Sequence, residues 1–157
     1  MKKLFIALLV AGVAALVFAC GGKKDEQHQS PECETLSKRA LRAMQDNDFN
    51  AFITLTEVPD DQRESYRDIF NNKYMKPIND NGGLESYVIL SSAVTVTDNT
   101  DKDGNVISTT TSCVVAASLT YGNGTVETEN LYFLKSETDQ NWYLNPIQLI
   151  GHEADKS

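Results

Sequence analysis

Basic residues, histidines and cysteines are all scarce in this chain, and each shortage removes a class of function. Lys and Arg number 14 against 22 Asp and Glu, a net charge of -8 in 157 residues. A surface of that sign repels phosphate backbones, so nucleic acid is not expected as a partner. There are two histidines, His28 and His152, and three cysteines, Cys20, Cys33 and Cys113, widely separated and without metal-ligand spacing. No Gly-rich phosphate loop, nucleophile elbow or internal repeat occurs, so neither a cofactor nor a metal is expected. The one long apolar run, residues 4–19, is shorter than the roughly 20 residues of a permanent membrane span.

That run has its own meaning. Lys2 and Lys3 precede it and Val17-Phe18-Ala19-Cys20 ends it, which is the layout of an export signal with a small residue directly before a cysteine. The junction resembles the lipobox of bacterial lipoproteins. The resemblance implies that residues 1–19 are a removed signal peptide and that Cys20 carries a diacylglyceryl group with an acylated amino terminus. Several acyl chains hold a protein firmly, at about 0.8 kcal/mol per buried methylene. Loss of Lys2 and Lys3 takes the net charge from -8 to -10. Residues 20–30, rich in Gly and charge, read as a solvated tether. Within it Lys24-Asp25-Glu26 resembles the lysine-plus-acidic export tag of Bacteroidetes-type lipoproteins, which implies an outer-membrane protein with surface display favoured over a periplasmic face.

Residues 31–150 read as one α+β domain, with 151–157 a tail. Ser30-Pro31 is a helix start, the hydroxyl serving an orphan amide and the proline having none to lose. Cys33, Leu36, Ala40, Ala43 and Met44 then fall on one helical stripe. Asp48 is placed to cap a second helix carrying Phe49, Phe52, Ile53 and Leu55, and Asp61 with Glu64 to cap a third carrying Tyr66, Ile69, Phe70, Tyr74 and Ile78. Gly82-Gly83 closes it.

From Leu84 the period becomes two. Val88, Leu90, Val94 and Val96 mark the inner face of a first strand, and Ile107, Cys113, Val115, Ala117, Leu119 and Tyr121 that of a second. A third strand spans 125–136 and a fourth runs from Trp142 to about 150. Three N-terminal helices packed on a curved four-stranded antiparallel sheet are expected.

This order, with the stretch FLKSETDQNWYL at 133–144, resembles small exported lipoproteins of the nuclear-transport-factor-two-like, cystatin-related superfamily. The resemblance covers 31–149 and implies a cone-like cavity between helices and concave sheet, used for binding or, in some members, for isomerase or dehydratase chemistry. Catalysis there takes a pocket Asp or His as base, often with a Tyr donor. Both histidines lie outside the core, and Glu127 and Glu129 share a face with Leu131 and Phe133, where two close charges read as solvent-facing. The expectation is a non-catalytic, lipid-anchored binding module whose pocket, lined by some of Tyr66, Phe70, Tyr74, Tyr132 and Trp142, takes a small apolar or aromatic ligand. The second reading is an envelope interaction protein with a filled core, docking a protein partner or a second copy through its sheet; an isomerase-like or dehydratase-like enzyme is a distant third.

The stretch 99–106, NTDKDGNV, resembles a calcium loop of the EF-hand type, but Asn99 and Thr110 stand where acids belong and strands flank it, so it reads as a hairpin turn. Cys33 and Cys113 remain as an even pair in an oxidising compartment, which leaves open a disulfide or two buried thiols.

Overall fold

The computed structural model describes residues 29–146. Helices come first and an antiparallel meander follows, giving an α+β fold of two layers with the sheet order β1-β2-β3-β4. Helix α1 (Pro31–Gln45) begins as its sequence dictates: the Ser30 hydroxyl accepts from the Cys33 amide at 3.3 Å, and Pro31 occupies the first turn. It buries Cys33, Ser37, Ala40, Leu41, Ala43 and Met44 against the sheet. Helix α2 (Phe49–Ile53) is capped by Asp48, which accepts from the Ala51 amide at 3.0 Å.

The third helix differs from expectation in its start and its middle. A 3-10 turn (Asp60–Gln62) takes up Asp61, and α3 (Ser65–Ile69) has no side-chain cap. A π-helical turn (Phe70–Met75) then joins α3 to α4 (Lys76–Asp80), with the Lys76 amide bonding to the Asn71 carbonyl five residues back. Pro77 supplies the reason. It has no amide to give to the carbonyl of Lys73, so the regular ladder cannot continue through it, and one residue is looped into a wider turn.

Strands β1 (Leu84–Thr100) and β2 (Val106–Tyr121) form a long hairpin, β3 (Val126–Lys135) pairs along the inner half of β2, and β4 (Trp142–Leu144) pairs with β3. On β2 the inward set is as expected through Cys113, Val115, Ala117, Leu119 and Tyr121, all buried. Ile107 is 67% exposed, because β3 reaches only to Ser112 and the outer part of the hairpin projects past it. On β1 the expected parity fails in the middle. Register shifts at Leu84/Ser86 and Ile89/Ser91 turn Tyr87 and Ile89 inward, opposite Leu119 and Ala117, and leave Val88 and Leu90 exposed.

Helix α1 runs antiparallel to β1. Its start is tied to mid-strand by Ser30 N–H donating to Ser92 Oγ at 3.0 Å, and its end by Gln45 donating to the carbonyls of Leu84 and Glu85 at 3.1 and 2.8 Å. The core lies between α1, the third helix and the inner sheet face.

Candidate functional site

Toward the C-terminal end of α1 the two layers do not close completely. A pocket of about 210 Å³ opens there, lined by Leu41 and Met44 of α1, Pro77, Ile78 and Asn81 at the end of α4, Leu119 and Tyr121 of β2, and Glu127, Glu129 and Leu131 of β3. The register explains this lining, since Leu119 pairs with Glu127, Ala117 with Glu129 and Val115 with Leu131, so all six point to the helix side. Hydrocarbon makes most of the wall; the polar groups are Asn81, Tyr121 and the two carboxylates.

Tyr121 is buried, and its phenol is pushed up to about 12, first by burial, then by the charges of Glu127 and Glu129 and a hydrogen bond with Glu127. It is therefore a neutral donor throughout the physiological range. Glu127 is exposed and Glu129 half-buried. Asn81 is held from two sides. It donates to the Pro77 carbonyl at 3.0 Å, and its own side-chain oxygen accepts from Asn123 at 2.9 Å. The Gly83 and Asn81 carbonyls also take the amides of Gly122 and Asn123, each at 2.9 Å, which staples the α4–β1 turn to the β2–β3 turn at the pocket's end. The approach is close enough that a Cβ on Gly122 would stand 2.3 Å from the Gly82 oxygen.

The aromatics singled out from the sequence are not gathered around this pocket. Phe70 and Tyr74 are fully buried and pack with Phe52 at centroid distances of 4.9 and 5.3 Å, while Phe49 meets Phe70 edge-on at 5.6 Å. The Tyr74 hydroxyl donates to the Pro146 carbonyl, and burial raises its pKa well above the ordinary tyrosine value. Tyr66 lies in a shallow groove with Glu57, Leu134 and Tyr143; Trp142 lines another with Leu36, Arg39 and Leu55; Tyr132 is on the outer sheet face. A third groove, along α1 and α2 beside Lys38, Arg39 and Arg42, is larger at about 410 Å³ but more open to solvent. The pocket itself was missed, although the parity of Glu127 and Glu129 with Leu131 and Phe133 was the signal for it.

Cys33 and Cys113 are free thiols, both at 0% exposure, and they meet where α1 crosses β2. Their mutual hydrogen bond is the largest influence on each, lowering Cys33 and raising Cys113. Cys20, Lys24, Asp25, Glu26 and both histidines lie outside the described residues. In the hairpin turn, Asp101 accepts from the amides of Asp103 and Asn105 at 2.9 Å and from the Asn105 side chain at 3.0 Å, and these bonds hold its carboxyl below the usual range. Its oxygens thus organise the loop itself. Among the described residues no group of three or more His, Cys, Asp or Glu is placed to hold a metal ion, and no helix is long and apolar enough to cross a membrane.

No protein-family model matches the chain, and no curated protein does. Among solved structures, a proposed NTF2-like transpeptidase of Campylobacter jejuni is similar at 15% identity and a TM-score of 0.47, covering 71% of this chain and 95% of its own.

Proposed function

We propose that this chain is a lipid-anchored binding module of the bacterial cell envelope, with the anchor on Cys20 and a small ligand of apolar body held between α1, α4 and the inner face of β2 and β3. The observation that carries this reading is the pocket itself. The aromatic side chains that would have filled it are packed elsewhere, and Leu41, Met44, Ile78, Leu119 and Leu131 leave about 210 Å³ between helices and sheet. That is below the roughly 300 Å³ at the small end of drug-sized sites, so the occupant is a fragment: one ring or a short chain. The role is binding without turnover. Tyr121 is held protonated, so it donates and does not serve as a base. The export pattern around Cys20 and the Lys24-Asp25-Glu26 stretch support the outer membrane, surface-facing, as its place.

Titration of the full-length chain with benzyl alcohol, followed on the pocket's leucine and methionine methyl resonances, tests the pocket. Saturable shifts are expected, and Leu119→Trp, which fills the space, should abolish them while the remaining spectrum persists. Absence of any saturable shift in the wild type would remove the reading. For the anchor, Cys20→Ser should release the protein from washed membranes, since serine forms no thioether; unchanged retention and mass would refute it. Alanine at Lys24, Asp25 and Glu26 should hide the domain from protease added to whole cells.

A second reading is favoured by the outer sheet face. Its positions on β2 and β3, Ser112 to Thr120 and Val126 to Leu134 at every second residue, carry no charge in a chain of net charge -8. Such a face tolerates a second copy where the rest of the surface repels one. Sedimentation of Tyr132→Glu beside the wild type decides it: a concentration-dependent dimer lost in the variant supports docking through the sheet.

A further inference from the structure

At the start of α1, away from the pocket, a groove of about 430 Å³ carries groups of another kind. Glu32, Leu36 and Arg39 follow one another at helical spacing along its α1 side, and Leu55, Gln140, Asn141 and Trp142 complete much of its lining. Its volume is within the roughly 300 to 1,000 Å³ of small-molecule sites. The β3–β4 turn is fixed against the chain that follows α2, because the Leu144 amide donates to the Leu55 carbonyl at 2.7 Å and the Ser136 hydroxyl to the Glu57 carboxylate at 2.8 Å. Arg39 differs from the other arginines near it. Arg42, Arg63 and Arg67 each pair with a carboxylate three or four residues away, whereas the helical neighbours of Arg39 are Thr35, Leu36, Arg42 and Ala43, none of them acidic. Among the described residues its exposed guanidinium has no ion pair or hydrogen bond. It also borders the neighbouring groove beside Lys38, so in a chain of net charge -8 positive charge stands at the junction of two concavities.

A guanidinium fork takes a carboxylate through two parallel bonds. Two turns toward the helix start, about 10.5 Å along the axis, Glu32 brings the opposite charge. A polyanion would be repelled there, and a small inorganic anion would leave the half-buried Trp142 ring uncovered. The groups in between suit hydroxyls. Thr35 and Thr54 donate to the Pro31 and Ala51 carbonyls at 2.8 and 2.7 Å, so their oxygens are left to accept, and a carboxamide both gives and accepts. Gln140 is held at the rim at φ 61, a left-handed backbone that favours glycine. A peptide would seek main-chain partners, and the Leu144 amide on this side is already engaged. We propose that the groove is a saccharide site selective for a sugar that carries a carboxylate: the apolar face of the ring lies on Trp142, its hydroxyls meet Glu32 and the carboxamides of Gln140 and Asn141, and its carboxylate is taken by Arg39. This site is separate from the pocket toward the other end of α1 and does not depend on it.

The chain has a single tryptophan, so its emission reports this groove. The full-length chain in an uncharged, sugar-free detergent is titrated at neutral pH with methyl glucuronide, with methyl glucoside, which differs from it only at C6, and with N-acetyl-dialanine, a carboxylate on a peptide. The glucuronide should change the emission saturably and bind about tenfold more tightly than the glucoside, the ratio expected of one charge-assisted hydrogen bond; N-acetyl-dialanine should give no saturable change. Arg39→Gln, at an exposed position with no partner to orphan, should bring the glucuronide down to the glucoside and leave the glucoside unchanged. Gln140→Gly removes a carboxamide and relieves the left-handed backbone, so the fold should stay at least as stable while both glycosides weaken about threefold. Equal affinity for the two glycosides, or a preference for the glucuronide that survives in Arg39→Gln, overturns the selectivity assigned to Arg39. Tighter binding of N-acetyl-dialanine overturns the saccharide class, and no saturable change with any of the three overturns the site.

Discussion

Oxidation of Cys33 and Cys113 is the perturbation with the largest expected effect on this fold. One thiol is on the first turn of α1 and the other in the middle of β2, both buried and each the largest influence on the other's titration. Bridging them joins residues 80 apart in sequence, so a long loop is closed in the unfolded chain. The chain-entropy relation gives about 4.5 kcal/mol for such a loop. At about 4 °C per kcal/mol for a domain of this size, the upper limit of the rise in Tm is about 18 °C. In an oxidising compartment the bond would form by exchange while the chain is still open: one thiolate attacks a disulfide of an oxidoreductase, the second displaces that enzyme, and it leaves as a dithiol carrying the two electrons. Protein made by export and unfolded without reductant should resist alkylation at both residues, and its melting temperature should drop on reduction. Quantitative alkylation of both thiols, together with a reductant-independent Tm, would refute the reasoning.

Three other consequences follow from single groups. Ser37 is fully buried on α1 and its hydroxyl has no hydrogen-bond partner among the described residues, so Ser37→Ala should stabilise the domain by about 1 kcal/mol in urea denaturation. Gly122→Ala drives a methyl into the Gly82 carbonyl and should cost about 2 kcal/mol or more, with loss of probe binding as the stapled turns part. Tyr121 titrates at about 12 in the folded protein against about 10 in the unfolded chain. A raised phenol favours folding only while protonated, so its contribution is complete below pH about 10 and is lost between about 10 and about 12; absorbance at the phenolate band together with stability against pH checks it.

Some of this was readable from residues alone, and the reasons differ by element. Ser30-Pro31 and Asp48 announced their helices because a cap is a local event, settled by one side chain and an amide three residues on. The inner faces of β2 and β3 were readable because uninterrupted alternation has one parity. β1 was not, since the register shifts at Leu84/Ser86 and Ile89/Ser91 leave no mark in residue type and each reverses the side that faces the core. The candidate pocket was misplaced for a related reason. Phe70 and Tyr74 sit at helical spacing on an apolar stripe, which says that they are buried and not what they are buried against. A pocket is where side chains fall short of meeting, and Leu41, absent from the expected stripe, is one of those that bound it. The carboxylates Glu127 and Glu129 were seen on the correct face, but alternation alone cannot tell an open face from the mouth of a pocket.

The ties that set α1 antiparallel to β1 also give the domain two unlike ends. Ser30 and Ser92 meet at one of them; Leu41 and the pocket lie about 16 Å further along the helix. Past Ser92 the hairpin continues for about 20 Å beyond Val94 with, among the described residues, neither helix nor third strand beside it. A pull on the backbone ahead of Ser30 therefore acts at the hairpin's end of the body, like a line made fast to the bow. The pocket and the bare hairpin stand at opposite ends of the domain, with Ser30 on the hairpin's side.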